Sequence, residues 1–122
     1  KQKIMCALKG TREDRSILVN SRNRLVMNSV LASPKLTDSE VEHFANLRSV
    51  SEEVIRIIAT NSRWLRKYPV VLALAQNPKT PVGTAVRLLP RLNIRDLGRL
   101  SRDRGIDATV RREAGRVLSR RR

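Results

Sequence analysis

Basic residues recur along this chain at a fixed interval. Arg22, Arg63 and Arg104 are separated by 41 residues twice over, and the first two close the same tripeptide, Asn20-Ser21-Arg22 and Asn61-Ser62-Arg63. If repeated units stack, equivalent positions line up on one ridge. Three arginines on a ridge, each near the positive start of a helix, could follow a phosphate backbone. Lys35 and Lys79 recur in the same way, in Ser33-Pro34-Lys35-Leu36-Thr37 and Asn77-Pro78-Lys79-Thr80-Pro81, and would form a parallel row. The plainer reading is of basic loop residues that cap helix C-termini and are otherwise solvated.

A second basic surface is expected from Arg87, Arg91, Arg95, Arg99 and Arg102. Steps of three and four residues put Arg91, Arg95, Arg99 and Arg102 on one helical face. Arg112, Arg116 and Arg120 repeat that spacing near the C-terminus. Like charges so placed cost a few tenths of a kcal/mol per pair, which suggests a partner, although Asp96, Asp103 and Glu113 offset part of it. The tail 119–122 is expected to fray and to add unspecific attraction.

Trp64 and Tyr68 lie one helical turn apart beside Arg63, Arg66 and Lys67. Aromatics interleaved with cations can stack bases, but a lone Trp in a small helical domain is more often core. His43 is the only histidine and is expected at the surface, so no Ser-His-Asp or His-rich metal set can be assembled. The pairs Glu40/Glu42 and Glu52/Glu53 read as helix-start acids rather than a catalytic pair. Neither GxxxxGK[ST] nor GxGxxG is present. Cys6, the single cysteine, excludes an internal disulfide and a multi-cysteine metal site, and its apolar neighbours Ile4, Met5, Ala7 and Leu8 favour a core role. No enzymatic activity and no cofactor are expected.

Charge supplies the strongest constraint on partners. The 122 residues carry 26 basic and 11 acidic side chains, a net +15. Residues 62–122 hold 16 of the basic groups and 4 of the acids. A half that repels itself so strongly points to an anionic partner, with nucleic acid first, ahead of an acidic protein or peptide and anionic lipid. Lipid docking lacks an amphipathic apolar anchor. No run approaches the roughly 18 apolar residues of a membrane span, and an intracellular, cytoplasmic setting is expected. The opening Lys-Gln-Lys, without Met, is expected of a domain from a longer protein.

The elements that must position these residues read as helices throughout. With aromatics at only 2%, Leu, Val, Ile and Ala must fill the interior, and the composition favours helix. Residues 2–9, closed by Gly10, and 11–19 form two short helices. A third follows Arg22-Asn23, burying Leu25, Val26, Val30 and Met27, and stops at Ser33-Pro34. Thr37-Asp38-Ser39-Glu40 is a capping box whose helix buries Val41, Phe44 or Ala45, and Leu47. Ser51-Glu52-Glu53 opens the next helix. Pro69, Thr80-Pro81, Asn93 and Asp107 open the rest. Three helices therefore fit within about 38–76 and three within about 81–120. Gly83, Gly98 and Gly115 fall inside helices and are expected to permit close packing. Segment 61–81, the middle repeat, is the organising stretch.

The Asn77-Pro78-Lys79-Thr80-Pro81 joint followed by a short helix resembles the variant leucine-rich-repeat proteins. The 41–44-residue recurrence resembles HEAT and armadillo-type repeats. This likeness covers about residues 11–120 and implies an all-α, right-handed solenoid of short helices, about two and a half units long. It implies no activity. The iron–sulphur cluster found beside some variant leucine-rich repeats needs several cysteines, and Cys6 stands alone. Ala7-Leu8-Lys9-Gly10 through Leu36-Thr37-Asp38-Ser39-Glu40 also resembles a family of bacterial domains without established activity. Trp64 and its arginines loosely resemble the equipment of HEAT-like alkylpurine DNA glycosylases. Asp96 or Asp103 would then have to face a pocket, and no motif singles out either.

The resulting expectation is a single non-enzymatic helical-repeat domain over residues 1–122, binding nucleic acid in a sequence-tolerant manner. Arg22, Arg63 and Arg104 would contact phosphates, helped by Arg66, Lys67, Arg95, Arg99 and Arg102. The alternative is a protein–protein scaffold whose concave face holds an acidic helix or peptide.

Overall fold

The computed structural model describes Arg15, Ile17, Val19 and residues 24–121. Arg22, Cys6 and most of the first two expected helices lie outside the described residues; Arg15 and Ile17 are helical. The described residues form seven α-helices and no strand: α1 (Arg24–Leu31), α2 (Asp38–Asn46), α3 (Glu52–Thr60), α4 (Tyr68–Gln76), α5 (Val82–Leu88), α6 (Ile94–Leu100) and α7 (Ala108–Arg121). Single 3-10 turns, Trp64–Arg66 and Leu89–Arg91, precede α4 and follow α5.

Helix starts follow local chemistry. Thr37 Oγ1 accepts the Glu40 N–H (3.2 Å), Ser51 Oγ the Val54 N–H (3.3 Å) and Asn93 Oδ1 the Asp96 N–H (2.8 Å). Each satisfies one of the donors that a helix N-terminus leaves unpaired. Pro69 sits in the first turn of α4, where its missing N–H costs nothing. Only half of the expected capping box forms, because Glu40 turns to Arg15 instead of back to Thr37 N–H. Arg15 Nε and Nη2 donate to Glu40 Oε2 and Oε1 at 2.6 and 2.7 Å. Both residues are buried. The Thr37 hydroxyl also donates to Oε1 at 3.3 Å. Glu40 is therefore an interior ion-pair partner and not simply a helix-start acid.

The interior is aliphatic. Val41, Phe44 and Ala45 of α2 and Val54, Ile55 and Ile58 of α3 are buried, as are Val70, Val71, Ala73, Leu74 and Ala75 of α4. Leu47 is only half-buried, and Val50 takes the interior position beyond α2. Nine-residue helices are marginal alone, so this burial stabilises them. α4 has apolar residues buried on most of its circumference and is the central element, as its sequence implies. Trp64 is 9% exposed and belongs to the same core.

Neighbouring helices are registered by their ends. α2 and α4 pack side by side in the same direction. Lys67 Nζ lies 3.9 Å from Asp38 Oδ2 at their starts, and Gln76 Nε2 donates to Asn46 Oδ1 (2.9 Å) at their ends. Asn77 seals that end. Its Nδ2 donates to the Ala45 and Leu47 carbonyls (2.7 and 3.0 Å), and its Oδ1 accepts the Lys79 N–H (2.9 Å). Ser33 makes the matching turn, its Oγ accepting the Lys35 N–H at 3.3 Å. The Ser33-Pro34-Lys35 and Asn77-Pro78-Lys79 recurrence is thus a recurrence of hydrogen bonding. Asn77→Ala strips one buried and one part-buried carbonyl of their donor and should lower unfolding free energy by about 2–3 kcal/mol. Denaturant titration checks this, and a loss below about 0.5 kcal/mol would contradict it.

The helical glycines play no such part. A Cβ built at Gly83 meets nothing within 4 Å, and at Gly98 and Gly115 the nearest atoms lie at 4.0 and 3.9 Å. These are ordinary contact distances, so none of the three is required for close packing, contrary to the expectation above.

Candidate nucleic-acid interface

Tyr68, at the start of α4, joins two helix starts. Its hydroxyl donates to Asp96 Oδ2 (2.6 Å) and accepts the Asn93 N–H (3.0 Å). Arg99 Nη2 pairs with the other Asp96 oxygen at 3.0 Å. The α3–α4 joint, which carries Arg63, Arg66 and Lys67, is thereby held against the α5–α6 joint, which carries Arg91 and Arg95. Arg91 Nη2 fastens the same two joints by donating to the Leu65 carbonyl. α7 runs back against α6. At its C-terminal end Arg121 donates from Nη1 to Leu92 O and from Nη2 to Pro90 O. Arg120 and Arg121 therefore arrive at the same end of the molecule. Both lie within α7, which extends to Arg121.

Arg63, Arg66, Lys67, Arg91, Arg95, Arg120 and Arg121 thus occupy one end of the helix set, and all are exposed. The side chains of Arg63, Arg66 and Arg95 pair with no carboxylate among the described residues. The acids placed among these cations are already engaged. Asp96 is held by Tyr68 and Arg99, and Asp38 lies at the limit of ion-pair distance from Lys67. Two of the arginines are anchored on backbone carbonyls, which fixes their positive charge in place while leaving further N–H donors.

Burial raises the Tyr68 pKa, and the hydrogen bond to the Asp96 carboxylate raises it further. Tyr68 is the only tyrosine, so phenolate absorbance reports it alone. It should titrate above the ordinary value near 10, and unfolding should return it there. Because the folded value is the higher one, this contribution to stability is complete below the unfolded pKa and is lost as pH rises through the folded one. A normal titration in the folded protein would contradict the Tyr68–Asp96 bond.

The remaining expected site residues divide. Arg99 lies on α6 but pairs with Asp96. Arg102 follows α6, its guanidinium nitrogens 4.0 Å from the position a Gly98 Cβ would take. Arg104 lies at the opposite end of the helix set, in the α6–α7 joint. There Asp103 lines a polar cleft with Arg48, Asn46, Gln76, Asn77 and Pro78. Lys79 belongs to the neighbouring joint at that end. Arg63 and Arg104 are therefore not on one ridge, and Arg22 lies outside the described residues. Sequence spacing marks Arg91 only as part of a face, and Arg120 and Arg121 only as stripe and tail. The available signal was a basic last turn on a helix long enough to return along α6.

Neither aromatic reaches outward as a stacking platform. Trp64 is buried, and Tyr68 is half-buried with its hydroxyl engaged. Asp96 is taken up as above, and Asp103 Oδ1 accepts the Gly105 N–H at 2.8 Å. The two acids named for a glycosylase-like role are thus both in structural use. His43 is exposed. No group of three or more His, Cys, Asp or Glu among the described residues could hold a metal ion. No described helix is long and apolar enough to cross a membrane. Comparison with protein-family models, with curated proteins and with solved structures returns no match.

Proposed function

We propose that this chain is a non-enzymatic helical-repeat module, its helices stacked as an α-solenoid, that binds a nucleic-acid backbone at its basic end. One observation carries the reading: arginines and a lysine from three separate segments converge on one end, where the local acids are already engaged. Uncompensated like charges held together repel, and a polyphosphate relieves that repulsion while releasing its counterions. Arg63, Arg66, Lys67 and Arg95 are the principal phosphate contacts. Arg91 and Arg121, anchored on backbone carbonyls, add fixed charge beside them, and Arg120 adds to the same end. The solenoid reading draws support from the parallel α2 and α4 and from the repeated turn at Ser33 and Asn77.

Affinity for nucleic acid across a salt series tests this. The expected result is micromolar or tighter binding at physiological salt, with a slope of log K against log salt corresponding to about four or more phosphates. Binding that vanishes at physiological salt would contradict the reading and favour an acidic protein partner.

A further inference from the structure

Resting on the nucleic-acid reading, we propose that the ligand of the basic end is a double-stranded nucleic acid, held by phosphates of both strands with its bases left stacked. The whole chain contains one Trp, one Tyr and one Phe, and all three are among the described residues. Trp64 and Phe44 are buried, at 9% and 1% exposure. Tyr68 is half-buried, its hydroxyl bound to Asp96 and to the Asn93 N–H. A surface that grips single strands combines a cationic groove with exposed rings on which unstacked bases lie. This end has the cations without the rings. The large apolar side chain exposed there, Ile94 at 51%, has no π-face. His43, the remaining ring, is exposed but sits on α2, outside the three segments that supply the cations.

The placement of the cations fits a duplex as well. They stand on the α3–α4 joint, the α5–α6 joint and the end of α7, which are fastened side by side through Tyr68, Arg91 and Arg121. Packed helices are about 8–10 Å apart, so the row spans roughly 20 Å. That is wide enough to meet phosphates on both sides of a groove about 6 or 12 Å across. A duplex presents its charges at about one per 1.7 Å of axis on a stiff frame. A fixed row of cations engages that array without having to order it, whereas a flexible single strand must be ordered first.

The test measures affinity at one salt concentration for a short duplex, for each of its strands alone (chosen not to self-pair), and for inorganic polyphosphate. Wild type and Trp64→Phe are compared, and a circular-dichroism melt confirms that the variant is folded. The expected result is a duplex bound about tenfold or more tighter than either strand and tighter than polyphosphate, with Trp64→Phe unchanged on every ligand. Single strands bound as tightly as the duplex, or weakened selectively by Trp64→Phe, would overturn the duplex assignment while leaving nucleic-acid binding intact. Polyphosphate bound as tightly as the duplex would reduce the site to a general polyanion surface and overturn it too. No binding to any of the three would overturn the nucleic-acid reading itself.

Discussion

Glu40→Ala is expected to lower unfolding free energy by about 3–5 kcal/mol, the usual cost of removing one partner of a buried ion pair. Arg15 and Glu40 side chains are 5% and 3% exposed and share two short hydrogen bonds. Truncating Glu40 removes the carboxylate that accepts these two guanidinium hydrogen bonds, and truncating Arg15 removes the cation that faces the buried carboxylate. Small domains are stable by only about 5–15 kcal/mol, so either single variant should lose a large share of the folding margin. The double variant Arg15→Met/Glu40→Leu removes both charges together and should be near neutral or more stable than wild type. Singles that cost less than about 1 kcal/mol would contradict the pairing. The pair also sets an acid limit. The Arg15 hydrogen bonds outweigh burial and hold the Glu40 carboxyl below its ordinary value. Its contribution is therefore complete above the unfolded pKa and is lost as pH falls through the folded one. The double variant should show a flatter loss of stability in acid.

Arg63→Glu/Arg66→Glu/Arg95→Glu is expected to weaken nucleic-acid binding more than roughly a hundredfold and to lower the salt slope by about 3, since each neutralised phosphate contributes about 0.9. These side chains are exposed and pair with no described carboxylate, so the fold should survive. The matched control is Arg48→Glu/Lys79→Glu/Arg104→Glu, which changes net charge equally at the opposite end. Its effect should be confined to long-range attraction, roughly tenfold or less. Equal losses would mean that net charge alone drives binding. A larger loss in the control would move the site to the Arg48–Arg104 end.

The sequence made the helices legible because their signals are local. Thr37, Ser51 and Asn93 each close a ring to a backbone N–H three residues on, and such a bond needs no tertiary partner. The Ser33 and Asn77 turns were legible for the same reason. What failed depended on counting helices instead of residues. Between Arg63 and Arg104 the chain traverses α4, α5 and α6, and three traverses of alternating direction deliver it to the other end. A 41-residue interval therefore placed the two arginines apart. Glu40 looked like half of a capping box because Arg15, its true partner, lies 25 residues earlier. Trp64 was legible as core only as the more common outcome. Its cationic neighbours suggested a stacking role, but the 3-10 turn sends the ring inward and leaves Arg63 and Arg66 outside. The convergence of Arg121 on the α5–α6 joint needed the antiparallel return of α7, which no local signal announces.

On the proposed reading, phosphates are met at the end formed by Arg63–Tyr68, Arg91–Arg95 and Arg120–Arg121. Adding a short DNA duplex to isotope-labelled protein, and following backbone amide and arginine side-chain resonances by NMR, tests it most directly. The largest shifts are expected to cluster in those three segments, with Arg48, Lys79 and Arg104 little changed. Shifts that cluster at Arg48, Lys79 and Arg104, or that spread evenly over every exposed arginine, would contradict it.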